Sequence, residues 1–160
     1  MADTKDSKAF LLKVVQPSLV GLMDGSVSTL APLFAAAYAT HDTHITFLIG
    51  ISAATGAAIS MGFAEALSDS GDFTGRGHPA TRGFIMGAMT FVGGILHTLP
   101  FLLSNLFFAL YLAYIIAGLE LLAIAYIRRH YFKMNFFLSI VQVIFGGGLV
   151  LAAGLLIGSA

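Results

Sequence analysis

Five long apolar stretches set the pattern of the chain: roughly residues 14–39, 44–68, 83–103, 106–127 and 134–158. Polar or Gly-rich turns separate them. Each stretch has about 20 or more residues, enough to cross a hydrocarbon core of about 30 Å. A backbone in lipid must satisfy its own hydrogen bonds, so each stretch predicts a helix. The expected fold is all-α: a polytopic membrane protein with five transmembrane helices. Residues 1–13 form a cytoplasmic tail and residues 14–160 a single membrane domain, with no inserted soluble domain.

Acids interrupt this apolar pattern on particular faces. In the second stretch, Met61, Glu65 and Asp69 recur at steps of four, which puts a thioether and two carboxylates along one helical face. Asp72 follows at the mouth. In the first stretch, GLMDGSVSTLAP carries Asp24 eleven residues past Lys13, about 16 Å along a helix and so near the middle of a bilayer. Pro32 removes a backbone donor and predicts a bend in the outer half of that helix. Ionisable groups at membrane depth are costly and mark ion paths by default. The competing reading of Asp24 is a neutral, hydrogen-bonded carboxyl in a helix packed through small residues. Met61 taken alone is more often a packing residue than a ligand, and Asp69 and Asp72 equally suit a solvated loop.

The remaining polar positions are sparse. The third stretch holds His97 and Pro100 near its end, and Gly87, Gly93 and Gly94 for close packing. His97 fits a proton relay, a site for a departing cation, or a packed, hydrogen-bonded ring. Glu120 lies in the fourth stretch, about 12 Å back from Arg128. It fits a proton carrier or a partner for a helix hydroxyl. The fifth stretch has Gln142, Gly146-Gly147-Gly148 and Gly154, a pattern for close helix contact, within the chain or across a dimer. Between stretches two and three, Gly75-Arg76-Gly77 lacks the preceding strand and the following Lys-Ser/Thr of a phosphate loop and reads as a turn. His78 there reads as a loop histidine.

Composition narrows the class. Charged residues make up 10% of the 160 positions and hydrophobic ones 58%, whereas soluble domains carry about 25% charged residues. Net charge is zero, which gives nucleic acid no basic patch to bind. Cysteine is absent, so disulfides and thiolate metal sites are excluded. Tryptophan is absent too, leaving Tyr38, Tyr126 and Tyr131 for an interfacial belt. No nucleophile–base pair or cofactor loop argues for an enzyme. All eight Lys and Arg (Lys5, Lys8, Lys13, Arg76, Arg82, Arg128, Arg129 and Lys133) fall on alternate sides of successive stretches, hence on one side of the membrane. The positive-inside rule makes that side cytoplasmic, with the N-terminus inside and the C-terminus outside.

Several of these motifs together are similar to one family. LMDGSVSTLAP resembles the first-helix Asp-Gly motif of the vacuolar iron transporters, AAISMGFAEALSD their second-helix Ser-Met…Glu motif, and GGILHTLPFLL with the Gly-rich last stretch their later spans. The resemblance runs over essentially the whole chain from about residue 14. It implies export of Fe²⁺, and of Mn²⁺, from the cytosol in exchange for protons. It further implies a homodimer with the metal path between the two first helices, and transport-path ligands at Asp24, Met61 and Glu65. Vacuolar members insert a glutamate-rich metal-binding domain between helices two and three. Here only the short Ser70–Thr81 loop stands in that place. SDSGDFTGRGHPATRG resembles instead the membrane half of bacterial membrane-bound ferritins, the erythrin-type branch, but no Glu-x-x-His pair for a di-iron site is present. Metal capture therefore falls to the loop acids or to a separate delivering protein.

The expected function is a bacterial inner-membrane exporter of divalent transition metal with metal ligands Asp24, Met61, Glu65 and Asp69. No cofactor is permanently bound, and the bilayer, the metal ion and protons are its partners. Two alternatives stand beside it: a structural or assembly subunit with hydrogen-bonded acids, and a proton or small-solute pathway through Asp24, His97 and Glu120 without metal.

Overall fold

In the computed structural model the described residues are 7–71 and 74–160, so Lys5 and Asp72 lie outside them. Among these residues the secondary structure is helix joined by turns, with no strand. The helices are α1 (Gln16–Ser28), α2 (Leu30–Thr40), α3 (Thr43–Ala66), α4 (Pro79–Leu96), α5 (Leu106–Phe132) and α6 (Phe136–Gly158). A π-helical turn, Leu11–Val15, leads into α1, and a 3₁₀ turn, Leu99–Leu102, follows α4. Side-chain caps set three of the starts: Asp42 accepts from the N–H of Ile45, Asn105 from that of Phe108, and Asn135 from that of Leu138.

Four helical spans are long and apolar enough to cross a membrane: Ser7–Thr40, Thr43–Ala66, Leu106–Phe132 and Phe136–Gly158. The first starts well before residue 14, so most of the expected tail is helix. The third expected stretch is outside the four. Its helix, α4, opens on Pro79, carries Arg82 and stops at Leu96.

Prolines explain both interior breaks. A proline ring cannot bond to the carbonyl four residues back and crowds it. Pro32 points at Ser28, where α1 ends, and the helix resumes at Leu30 after a turn at Thr29. Pro100 likewise points at Leu96, where α4 ends on His97.

Glycines set how closely the helices approach. A Cβ on Gly21 or Gly25 would land on the carbonyl oxygen of Met86 or Thr90, so α1 and α4 run in parallel with backbones almost touching. α3 lies antiparallel on the other side of α4, with Gly62 against Gly83 and Gly87, and Ala54 against Gly94. α6 follows α2 through Gly154 on Ala31 and Gly158 on Ala35. Of the glycines in the last stretch, Gly154 and Gly158 pack within the chain, while Gly146 and Gly148 face open space. A second core forms where Leu33, Phe34 and Ala37 of α2 meet Phe101 and the small face Ala109, Ala113 and Ala117 of α5. There the ring of Phe34 stacks on Tyr114 at 4.6 Å.

Gly25→Ala should force α1 and α4 apart and cost about 1–3 kcal/mol, the range for overpacking. Gly148→Ala, inside a helix with open space for the methyl group, should leave stability unchanged or raise it by up to about 1 kcal/mol. Unfolding of the two purified variants in detergent checks this; equal stability would refute the contact.

The outer surface is greasy. Phe107 is 85% exposed and Phe137 76%, and Phe63, Leu156 and Ile157 stand out likewise. Water would penalise so continuous an apolar coat, and lipid would not. Basic groups gather at one end instead. Lys13 packs on Gly77, and Lys8 shares a surface pocket with His130 and Lys133. Arg76 and Arg82 bind the foot of α3.

Candidate functional site

The predicted site residues fall into three places. The first is an open groove of about 520 Å³ between α1, α3 and α6. Its polar and sulfur groups are Met23, Asp24 and Ser28 of α1, Met61 of α3 and Gln142 of α6, set among valines. The sequence reading paired Asp24 with Met61, and the fold brings both to this groove. Gln142 is added from a helix over a hundred residues away. Among the described residues no basic side chain pairs with Asp24. A carboxylate, a hydroxyl, an amide and two thioethers make a mixed donor set suited to a borderline transition metal more than to magnesium or calcium. The Gln142 Oε1 already accepts from Arg128 Nη2 at 2.8 Å, so a metal at that oxygen would have to share it with, or displace, a guanidinium.

The second place is a charge cluster at the foot of α3 and α4. Glu65 Oε1 accepts from Arg76 Nη2 at 2.7 Å and from Arg82 Nε at 2.8 Å. Asp69 accepts from Arg76 and Arg82, each at 3.2 Å. Arg82 also donates to the Gly77 carbonyl. Two acids and two guanidinium groups cancel, which is what allows Arg82 to be only 1% exposed. Partial burial pushes the Asp69 carboxyl up, but hydrogen bonds from Arg82, the Gly71 N–H and Thr74, with the Arg82 charge, outweigh this and hold it below the usual carboxylate range. Arg76 and Arg82, read from sequence only as topological anchors, are thus the direct partners of Glu65 and Asp69. A metal at these acids would have to displace a guanidinium. Met61 and Glu65 share a face of α3, yet one faces the groove and the other the arginines.

The third place is buried where the two proline breaks meet. His97 Nδ1 lies 3.0 Å from Glu120 Oε2, and its Nε2 lies 2.7 Å from Thr29 Oγ1. The Thr29 hydroxyl donates to the Gly25 carbonyl at 2.7 Å. Both ring nitrogens are engaged, so His97 has none free for a cation. The structure bonds His97 directly to Glu120, two residues the sequence reading grouped only as members of one alternative proton pathway. It adds Thr29, whose link spans 68 residues and leaves no local sequence signal.

Among the described residues no three His, Asp or Glu side chains come together as a metal-holding group. Within one chain the groove offers a single carboxylate.

Four apolar spans, lipid-like exposure and buried, mutually satisfied charges define a multi-pass α-helical membrane protein. No protein-family model, curated protein or solved structure matches the chain.

Proposed function

We propose that this protein exports a divalent transition metal, Fe²⁺ or Mn²⁺, across a bacterial inner membrane in exchange for protons. One observation carries this reading: Asp24, unpaired by any basic group among the described residues, shares a membrane-depth groove with Met61 and Gln142. A lone carboxylate in oil is costly unless a cation visits it. The likeness to the vacuolar iron transporters points the same way.

The proposal takes α4 as a fifth crossing, shielded by α1 and α3 on either side. The basic end then faces the cytoplasm and the C-terminus the outside, as the positive-inside rule requires. One carboxylate offsets half the charge of a divalent ion. We therefore place a second copy against the groove, so that two Asp24 side chains share the metal in a homodimer. Delivery from the cytosol falls to a separate metal-carrying protein or to the loop acids, which must first release Arg76.

Reconstituted liposomes with a metal-quenched dye test this. Entrapped dye should quench on adding Fe²⁺ or Mn²⁺, faster when a pH gradient is imposed. No flux would reject export, and flux indifferent to the gradient would reject proton exchange. A structural-subunit reading draws on the paired state of Glu65 and Asp69 and on the bond between Glu120 and His97, and it predicts no flux at all.

A further inference from the structure

We propose that Glu120 and His97 form a proton-storing pair. Glu120 carries the stored proton, and its release resets the bend in the first membrane span beside Asp24. The donors fix the order. Thr29 has one O–H, and it donates to the Gly25 carbonyl. Its oxygen must then accept from His97, so Nε2 carries the ring proton. His97 Nδ1 is left to accept from Glu120 Oε2–H, or to donate to a carboxylate as part of an imidazolium. The other oxygen decides between them. Glu120 Oε1 is buried with no hydrogen-bond partner, which an ionised carboxylate tolerates poorly and a neutral acid's carbonyl far better. The resting chain is therefore Glu120 O–H to His97, His97 Nε2–H to Thr29, and Thr29 O–H to Gly25, with no net charge.

The line ends on a carbonyl, which takes no proton, so the site stores a proton and does not conduct one through. When one proton leaves to water, it is the Nε2 proton that is lost: the Glu120 O–H proton crosses to His97 Nδ1, and Glu120 becomes a carboxylate accepting from Nδ1–H. Nε2 then becomes an acceptor and takes the Thr29 hydroxyl proton as a hydrogen bond. Thr29 can no longer donate to Gly25. That bond spans the turn between α1 and α2, one residue from Asp24. Three protons in the chain become two, and the change falls at a helix break already loosened by Pro32.

The charged and titratable groups on the packed elements do not bond to the pair. Asp24 lines the groove, Glu65 is held by Arg76 and Arg82, and Tyr114 bonds to Tyr38. Arg128 bonds to Gln142, Lys13 lies on Gly77, Arg129 lies over Phe136, and Lys8, His130 and Lys133 sit at the surface pocket. His44 is exposed.

Infrared spectroscopy of the purified protein at neutral pH tests the stored proton. A neutral-acid C=O band, shifted in D₂O, should vanish in Glu120→Gln and survive in Asp24→Asn. Nitrogen-15 NMR of the parent protein tests the same point without a variant, because His97 is the one buried histidine of the five. Its ring should be neutral and protonated on Nε2. An imidazolium, or a band unchanged in Glu120→Gln, would overturn the proposal. The coupling step rests on the export reading and is tested by flux. Glu120→Gln should lose at least about tenfold of the gradient-driven Mn²⁺ rate while Mn²⁺ still binds, and full gradient-driven flux would overturn the coupling. No Mn²⁺ flux in the parent would remove export and leave the spectroscopic result to decide the pair.

Discussion

Asp24→Asn is expected to abolish metal flux, by about a hundredfold or more, while leaving the fold intact. Loss of a group that merely supports a ligand already costs about 10–100-fold in metal affinity or activity, and here the charged group itself is removed. The substitution keeps the shape and removes only the charge. Asp24 makes no ion pair among the described residues, so no partner is orphaned. Its groove is open, so the amide needs no repacking. Stability should change by no more than about 0.5 kcal/mol. Liposome flux and detergent unfolding on the same preparation separate the outcomes. Parent-like flux would reject the site. A drop in stability with flux tracking the folded fraction would favour the structural-subunit reading.

Arg82→Met is expected to produce the largest loss of stability, about 3–5 kcal/mol, the range for removing one partner from a buried ion pair. Arg82 binds Glu65, Asp69 and the Gly77 carbonyl at once, and its loss leaves Glu65 facing apolar surroundings with Arg76 alone. Arg76→Met should cost clearly less, because Arg76 is 21% exposed and water can replace part of what is lost. Acid should act on the same cluster. The folded-state pKa of Asp69 is depressed, so its contribution is complete above the ordinary carboxylate value and disappears as pH falls through the depressed one. Unfolding across an acid series should show the parent losing stability in that window and Asp69→Asn losing less. Equal stability of Arg82→Met and the parent would mean that the cluster is ornamental.

The apolar pattern was enough to locate the helices, because length and hydropathy are local properties of a chain that must satisfy its backbone in oil. It fell short at the first stretch and overreached at the third. The first helix continues back to Ser7, where Ser7, Lys8 and Lys13 interrupt the apolar run, so hydropathy did not reveal it. The third stretch was read through Pro100, although that ring ends α4 one turn earlier. Asp24 stood out because a carboxylate within an apolar run needs no partner to be noticed.

What the sequence determined alone was therefore an all-helical membrane chain, the placing of its basic residues between the apolar stretches, and the acids set within apolar runs. Only the tertiary structure decided how those residues are shared out. The steps of four implied one helical line from Asp69 to Met61, but α3 ends at Ala66, so Asp69 lies in the turn beyond it, and Arg82 of the neighbouring helix is set against Glu65. His97 and Glu120 became a pair, and Thr29 their third member, because two separate proline breaks meet. Spacing along one helix fixes a face and leaves open which partner covers it. The partner comes from glycine-set approach between helices distant in sequence, and the balance of buried charge depends on that choice.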